Sequence, residues 1–205
     1  MKYKHYILTR FNLGLYSDNP YKVENPDKWM DTRIELFEKT AFPSIMKQTN
    51  KNFTWLMAFD INTPQKYTRL YDYCDKIEVC FERPDDYLRR QEREMEWLIT
   101  SRFDNDDIYD PQFVAEIQRN FRPIEEIIDV DYTKTNLIDK EIPTSRVKPN
   151  SPFLSLVEKW ENNVKTAMAY PHSNMTAYFR SRKLNKVLAK MVIHENNQSN
   201  NWING

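Results

Sequence analysis

Four consecutive residues, Asp104-Asn105-Asp106-Asp107, place three carboxylates directly after the apolar, β-branched run Trp97-Leu98-Ile99-Thr100-Ser101-Arg102-Phe103. That run reads as a buried strand, so the acids fall where a strand ends. Carboxylates so close repel one another, and such a cluster persists when it faces water, caps a helix or shares a cation. The cation option has definite chemistry: Mg²⁺ or Mn²⁺ takes one or two carboxylates and fills its other positions with water and phosphate oxygens, which describes a diphosphate-handling site. The competing readings are an Asp/Asn turn, or a cap for the helix that Pro111 announces. An EF-hand calcium loop is excluded, because counting from Asp104 its glycine and glutamate positions hold Tyr109 and Ala115.

Composition removes further options. There are 2 glycines, Gly14 and Gly205, and a phosphate-cradling loop of the Walker or Rossmann kind needs several in a short window. With 30 basic and 30 acidic residues the formal net charge is zero, so no global attraction to nucleic acid or an anionic membrane is expected. The 205 residues suit a single domain over 1–205, ending in an Asn-rich tail at 196–205. The N-terminus lacks the apolar core of a signal peptide, and no window approaches the ~18 apolar residues of a transmembrane segment, so a cytoplasmic protein is expected. Cys74 and Cys80 have no metal-ligand spacing and read as packing thiols. Abundant aromatic residues suit a thick core or a cleft that stacks rings; Trp29, Trp55, Trp97 and Trp160 read first as core.

The elements that must position the acids follow from periodicity. Tyr3 to Asn12 reads as a first strand, then a turn at Gly14 and a polar loop to Pro26. Trp29, Ile34, Phe37 and Ala41 predict a helix from Asp27, and Pro43 opens a second short one to Gln48. Phe53 to Phe59 is a buried strand ending at Asp60; Pro64 to Tyr73 reads as helix, Ile77 to Phe81 as strand, and the charged stretch Asp85 to Glu96 as a surface helix. This alternation predicts an α/β domain with a mostly parallel central sheet and helices on both faces. Ligands bind such sheets at the carboxyl ends of strands, where Arg10, Asp60 and Asp104 to Asp107 fall. Beyond them the expectations are a helix from Pro111 to Ile117, a strand from Ile124 to Tyr132, hairpin and loop over 133–150, an apolar segment Phe153 to Glu158, a short strand Ala167 to Tyr170, and an apolar run Val187 to Ile193 leading to His194.

Ile7-Leu8-Thr9-Arg10-Phe11-Asn12, Phe42-Pro43-Ser44-Ile45 with Gln48-Thr49, Phe53-Thr54-Trp55-Leu56, and Thr100 to Asp107 resemble successive blocks of the putative rhamnosyltransferase family, nucleotide-sugar glycosyltransferases of GT-A fold. The second half is similar only at Ser151 to Glu158, Tyr170-Pro171-His172 and Ile193-His194. The resemblance implies a GT-A-like domain with a nucleotide-sugar-binding half, 1–110, and an acceptor-side half, 111–205. It implies transfer of a sugar from a nucleotide-sugar donor to a glycan or other hydroxyl acceptor.

The resemblance also implies roles. Asp104 and Asp106 form the D-x-D pair that binds a divalent metal, Mn²⁺ or Mg²⁺, with the donor ribose leaning on Asp104; His194 completes the metal shell, or else marks the end of a packed segment. Thr9, Arg10 and Asp60 line the nucleoside pocket, although Asp60 before Asn62-Thr63-Pro64 also suits a turn. Arg10 or Arg102 adds positive charge at the leaving diphosphate, Arg102 otherwise serving as a strand-end ion-pair partner. A carboxylate base is needed if the reaction inverts, and Glu158, Asp107 and Asp131 are the candidates. His172 is the candidate acceptor contact. Two other functions fit the pattern less directly: a nucleotidyltransferase, which would bring a Gly-rich loop after the first strand, and a non-catalytic carbohydrate-binding or assembly protein of the same fold.

Overall fold

The computed structural model describes residues 3–19, 23–93, 95–137, 140–142 and 151–194; the Asn-rich tail and most of the loop expected over 133–150 lie outside them. β1 (Tyr3–Arg10) sits between β2 (Thr54–Ala58) and β4 (Trp97–Arg102), parallel to both, and β3 (Ile77–Cys80) extends the parallel block beyond β2. β8 (Ser155–Lys159) joins antiparallel to β4 and carries the sheet to β6 (Glu126–Asn136), β9 (Ser181–Ile193) and β5 (Ile108–Tyr109), giving the order β3-β2-β1-β4-β8-β6-β9-β5, with β7 (Glu141–Ile142) paired to β6. β6 and β9 are parallel and slip register around Asp131.

Side-chain alternation along the central strands makes two cores. Ile7, Trp55 and Ile99 point to one face, where they meet Met30 and Phe37 of α1 (Pro26–Lys39), Ile45 of α2 (Ala41–Met46) and Phe113 of α5 (Phe113–Arg119). Tyr6, Leu56 and Leu98 point to the other, against Leu88 of α4 (Pro84–Arg90) and Trp160. This is the GT-A-like α/β arrangement expected, with helices on both faces.

α1 starts where the sequence carries its signals. Asn25 accepts the Lys28 amide at 3.0 Å, Pro26 occupies the first turn, and Asp27 and Lys39 complement the helix dipole at opposite ends.

Several expected elements differ. α2 begins at Ala41, so Pro43 lies inside its first turn, where a missing N–H costs nothing. α3 is only Gln65–Thr68, and α4 stops at Arg90 because Gln91 is extended. Ala167 to Tyr170 is a turn: Thr166 adopts φ 66°, and it and Lys165 give their amides to Glu158 instead of a strand partner. β9 begins six residues before the expected apolar run, at Ser181 rather than Val187.

Candidate active site

The chain runs outward from β1 through β2 to β3 and returns to β4 on the other side of β1, so the strand order reverses between β1 and β4. The carboxyl ends of two strands at such a reversal leave a crevice between the connections that depart in opposite directions. A cleft of about 480 Å³ opens there, lined by Arg10 and Arg102 from the two strand ends, by Asp104 to Asp107, and by Trp29 and Arg33 from α1.

The floor is built from backbone bonds across β1 and β4. Phe103 donates its amide to the Leu8 carbonyl at 3.0 Å, and the Thr9 hydroxyl donates to the Phe103 carbonyl at 2.9 Å while accepting the Trp55 indole N–H at 2.9 Å. Asn105 Nδ2 donates to the Phe11 carbonyl at 3.1 Å. The acid run is thereby tied to the exit of β1, and its three aspartates diverge. The Asp104 side chain is 43 % exposed, with Arg102 Nη2 at 3.9 Å. Asp106 is buried and its Oδ2 accepts from Arg33 Nη1 at 2.6 Å, with His194 Nε2 at 3.1 Å from the same oxygen. Asp107, also buried, accepts the Val192 amide at 2.9 Å.

Environment separates neighbouring acids of identical chemistry. Burial works to raise the Asp106 carboxyl, but the His194 contact and the Arg33 charge outweigh it and hold that carboxyl below its usual range. Asp107 has burial and the charges of Asp106 and Asp104 acting together, and its carboxyl is pushed well above the usual range.

Of the residues singled out from sequence, Arg10, Arg102, Asp104, Asp106 and Asp107 line the cleft, and His194 reaches Asp106 from the end of β9. Thr9 lies beneath the cleft, fully buried and spent on Phe103 and Trp55. Asp60 is not among the lining residues: it is 2 % exposed and its carboxylate accepts from Tyr16, Ser17 and Asn62, closing the 13–18 loop onto the turn after β2. Burial opposes ionisation there, and these donors more than offset it, leaving the carboxyl below its usual range.

Glu158 also lies elsewhere. Its Cα partner is Leu98, near the start of β4, while the cleft is at the other end of that strand. Burial pushes its carboxyl up to about 7 against the amides of Lys165 and Thr166. His172 opens a 3₁₀ turn, His172–Ala177, outside the cleft lining, and Asp131 pairs with Lys183 at 2.7 Å.

Sequence reasoning missed Arg33; Trp29, read first as core, packs against the main core and also borders the cleft. They sit four apart on α1, so they share a helix face, and the Arg33 Cζ lies 4.9 Å from the Trp29 ring centroid. Arg33 also reaches Asn105 Oδ1 at 3.3 Å. The i, i+4 Trp/Arg spacing was the available signal.

The donor types at the cleft are ones that ions of the Mg²⁺ or Mn²⁺ type accept. One carboxylate and one imidazole stand 3.1 Å apart, a second carboxylate, Asp104, borders the same cleft, and such ions fill their remaining positions with water and phosphate oxygens. Among the described residues no three acidic, histidine or cysteine side chains are already gathered for a metal, and Asp106 is paired with Arg33.

A model of the putative rhamnosyl transferase family matches residues 20–204. No curated protein matches the chain. Among solved structures, TarS 1–349 of S. aureus superposes with a TM-score of 0.53 at 14% identity, covering 94% of this chain and 60% of that one, which shows a shared fold. The 4-diphosphocytidyl-2C-methyl-D-erythritol synthase of Anaerococcus prevotii DSM 20548 gives 0.48 at 11% identity, over 90% of this chain and 87% of that one, a likeness too shallow to argue from. The chain spans about 60% of the TarS 1–349 length. With nine-tenths of its residues inside the family match, the chain belongs to the putative rhamnosyl transferase family, a family of glycosyltransferases.

Proposed function

We propose that this member of the family transfers a sugar from a nucleotide-sugar donor to a hydroxyl of a glycan or other acceptor, with Mn²⁺ or Mg²⁺ at the donor diphosphate. The observation that carries this reading is the convergence, at the reversal between β1 and β4, of Arg10 and Arg102 with the half-exposed Asp104 and the Asp106–His194 pair. Breaking a sugar–diphosphate bond builds negative charge on the leaving group and oxocarbenium character on the sugar. Asp106 and His194, with Asp104 nearby, would hold a divalent ion, which would supply Lewis-acid stabilisation of that leaving group.

The chain's own residues do the rest. Arg10 and Arg102 extend cationic groups from two strand ends, and the buried Arg102 Nε, which has no hydrogen-bond partner among the described residues, is a donor available to a ligand oxygen. Asp107 is the carboxylate base of this reading in preference to Glu158, because it lines the cleft and Glu158 lies at the other end of β4. His172 remains a proposed acceptor contact, and Thr9 and Asp60 support the nucleoside pocket from beneath and beside it. A cytoplasmic location, where nucleotide sugars are made, belongs to the same reading; among the described residues no helix is long and apolar enough to cross a membrane.

The test is calorimetry and donor hydrolysis over a panel of nucleotide sugars with and without Mn²⁺. Stabilisation by one nucleoside diphosphate with Mn²⁺, and release of its sugar, is the expected result. No binding and no turnover across the panel would overturn the reading.

A further inference from the structure

We propose that Arg33 is a donor-binding residue that competes with the divalent cation for Asp106 and, once displaced, turns its guanidinium to the donor diphosphate. The inference rests on the transferase reading and concerns how Arg33 holds Asp106 before metal and donor bind.

Arg33 is 7 % exposed yet borders the cleft. Its two hydrogen bonds, to Asp106 Oδ2 at 2.6 Å and Asn105 Oδ1 at 3.3 Å, both leave from Nη1. A guanidinium carries five N–H donors in a planar fork, so most of its donating capacity lies on Nε and Nη2. Among the described residues neither of these nitrogens has a protein acceptor, and the buried side-chain atom that lacks one is Arg102 Nε, not an Arg33 nitrogen. The remaining N–H groups of Arg33 therefore face open space, and Arg33 lines both the cleft and a second pocket along α1.

The seat is built for this cation. Trp29 lies under the guanidinium at 4.9 Å, and Asn105 is itself fixed by the Phe11 carbonyl. Asp106 is the point of exchange. A single oxygen, Oδ2, meets both Arg33 and His194, so an ion drawing on Asp106 and His194 shares that carboxylate with the Arg33 cation, and the two positive charges compete for it. Displaced Arg33 keeps Trp29 behind it and faces the cleft with its full fork, a geometry that matches phosphate oxygens in pairs. The same arginine compensates the buried Asp106 carboxylate, whose burial alone would be costly.

The competition predicts effects of opposite sign. Mn²⁺ binding is measured by electron paramagnetic resonance without nucleotide, and binding of inorganic pyrophosphate by calorimetry at saturating Mn²⁺. Arg33→Gln should bind Mn²⁺ several-fold more tightly, because the competitor is gone, and pyrophosphate about tenfold more weakly, because a charge-assisted contact is lost. Arg33→Lys, which keeps the charge without the fork, should show wild-type Mn²⁺ affinity and weakened pyrophosphate binding; it decides the matter if the glutamine variant does not fold. A structural role alone would move both affinities down together. Both affinities falling, or neither changing in variants of a wild-type protein that binds both probes, overturns the assignment of Arg33 while leaving the transferase reading intact. A wild-type protein that binds neither Mn²⁺ nor pyrophosphate overturns the transferase reading and this assignment with it.

Discussion

Asp107 accepts the backbone amide of Val192 at 2.9 Å, and that bond, spanning 85 positions, joins the acid run after β4 to the end of β9. Two residues beyond Val192 stands His194, which meets Asp106, the neighbour of Asp107, at 3.1 Å. Asp107 thus anchors the end of the strand, and Asp106 receives the histidine that follows it.

Asp107→Asn separates the anchor from the proposed base. Asparagine keeps an oxygen for the Val192 amide, so β9 should remain pinned and the fold intact. The raised carboxyl of the wild type favours the folded state below the unfolded-state value and loses that contribution as pH rises through the folded-state value. The asparagine variant should therefore show melting temperatures that depend less on pH, and sugar transfer reduced by about 100-fold or more if Asp107 takes the acceptor proton. Asp107→Ala should in addition lose about 1–3 kcal/mol, because the buried hydrogen bond from the Val192 amide is removed. Transfer within a few-fold of wild type in the asparagine variant would remove Asp107 as the base.

Glu158 carries a second pH dependence. Burial pushes its carboxyl up to about 7 in the folded chain, from an ordinary glutamate value of 4.5. The folded state thus holds a proton that the unfolded state has released between these values, and stability falls as pH rises through that window, by roughly 3 kcal/mol at most. Glu158→Gln should flatten the corresponding part of a plot of melting temperature against pH from 4 to 8, with sugar transfer little changed because the residue is not at the cleft. A loss of transfer near 100-fold at unchanged stability would restore Glu158 as a candidate base.

Asp60 closes a loop rather than the cleft, and Asp60→Ala should show it. The variant removes the acceptor of the Tyr16, Ser17 and Asn62 amides and the Ser17 hydroxyl at once. A cost of about 2–4 kcal/mol is expected, together with faster hydrogen exchange at Tyr16 and Ser17. Unchanged exchange at these amides would contradict the clamp.

How far the site was legible depends on which contacts are local. Asp104 to Asp107, Arg10 and Arg102 are visible because strand ends can be read from apolar runs, and the βα alternation says that strand ends meet. Arg33 is different: a charged residue on a helix reads as a solvated face, and its burial comes from Asp106, 73 positions away. β9 was hidden similarly. Its first half, Ser181 to Lys186, is polar, and its charges are matched by Glu126, Asp131 and Glu116 on other elements. Asp60 shows the converse, a strand-end acid whose lone pairs were claimed by a loop with no distinguishing pattern.

Asp104→Ala separates binding from folding most directly. The side chain is 43 % exposed and its nearest charge partner, Arg102, is 3.9 Å away, a separation at which a solvated pair contributes little to stability. Removing it should leave the melting temperature within the equivalent of about 0.5 kcal/mol. The proposed donor site loses more, since Asp104 is the aspartate of the run most open to the cleft. Affinity for a nucleoside diphosphate with Mn²⁺ should fall about tenfold or more, measured by calorimetry on a variant of wild-type stability. Asp106→Ala should instead lower stability as well, because it strands the buried Arg33 without its carboxylate. Equal donor affinity in wild type and Asp104→Ala would place the diphosphate elsewhere than beside this acid.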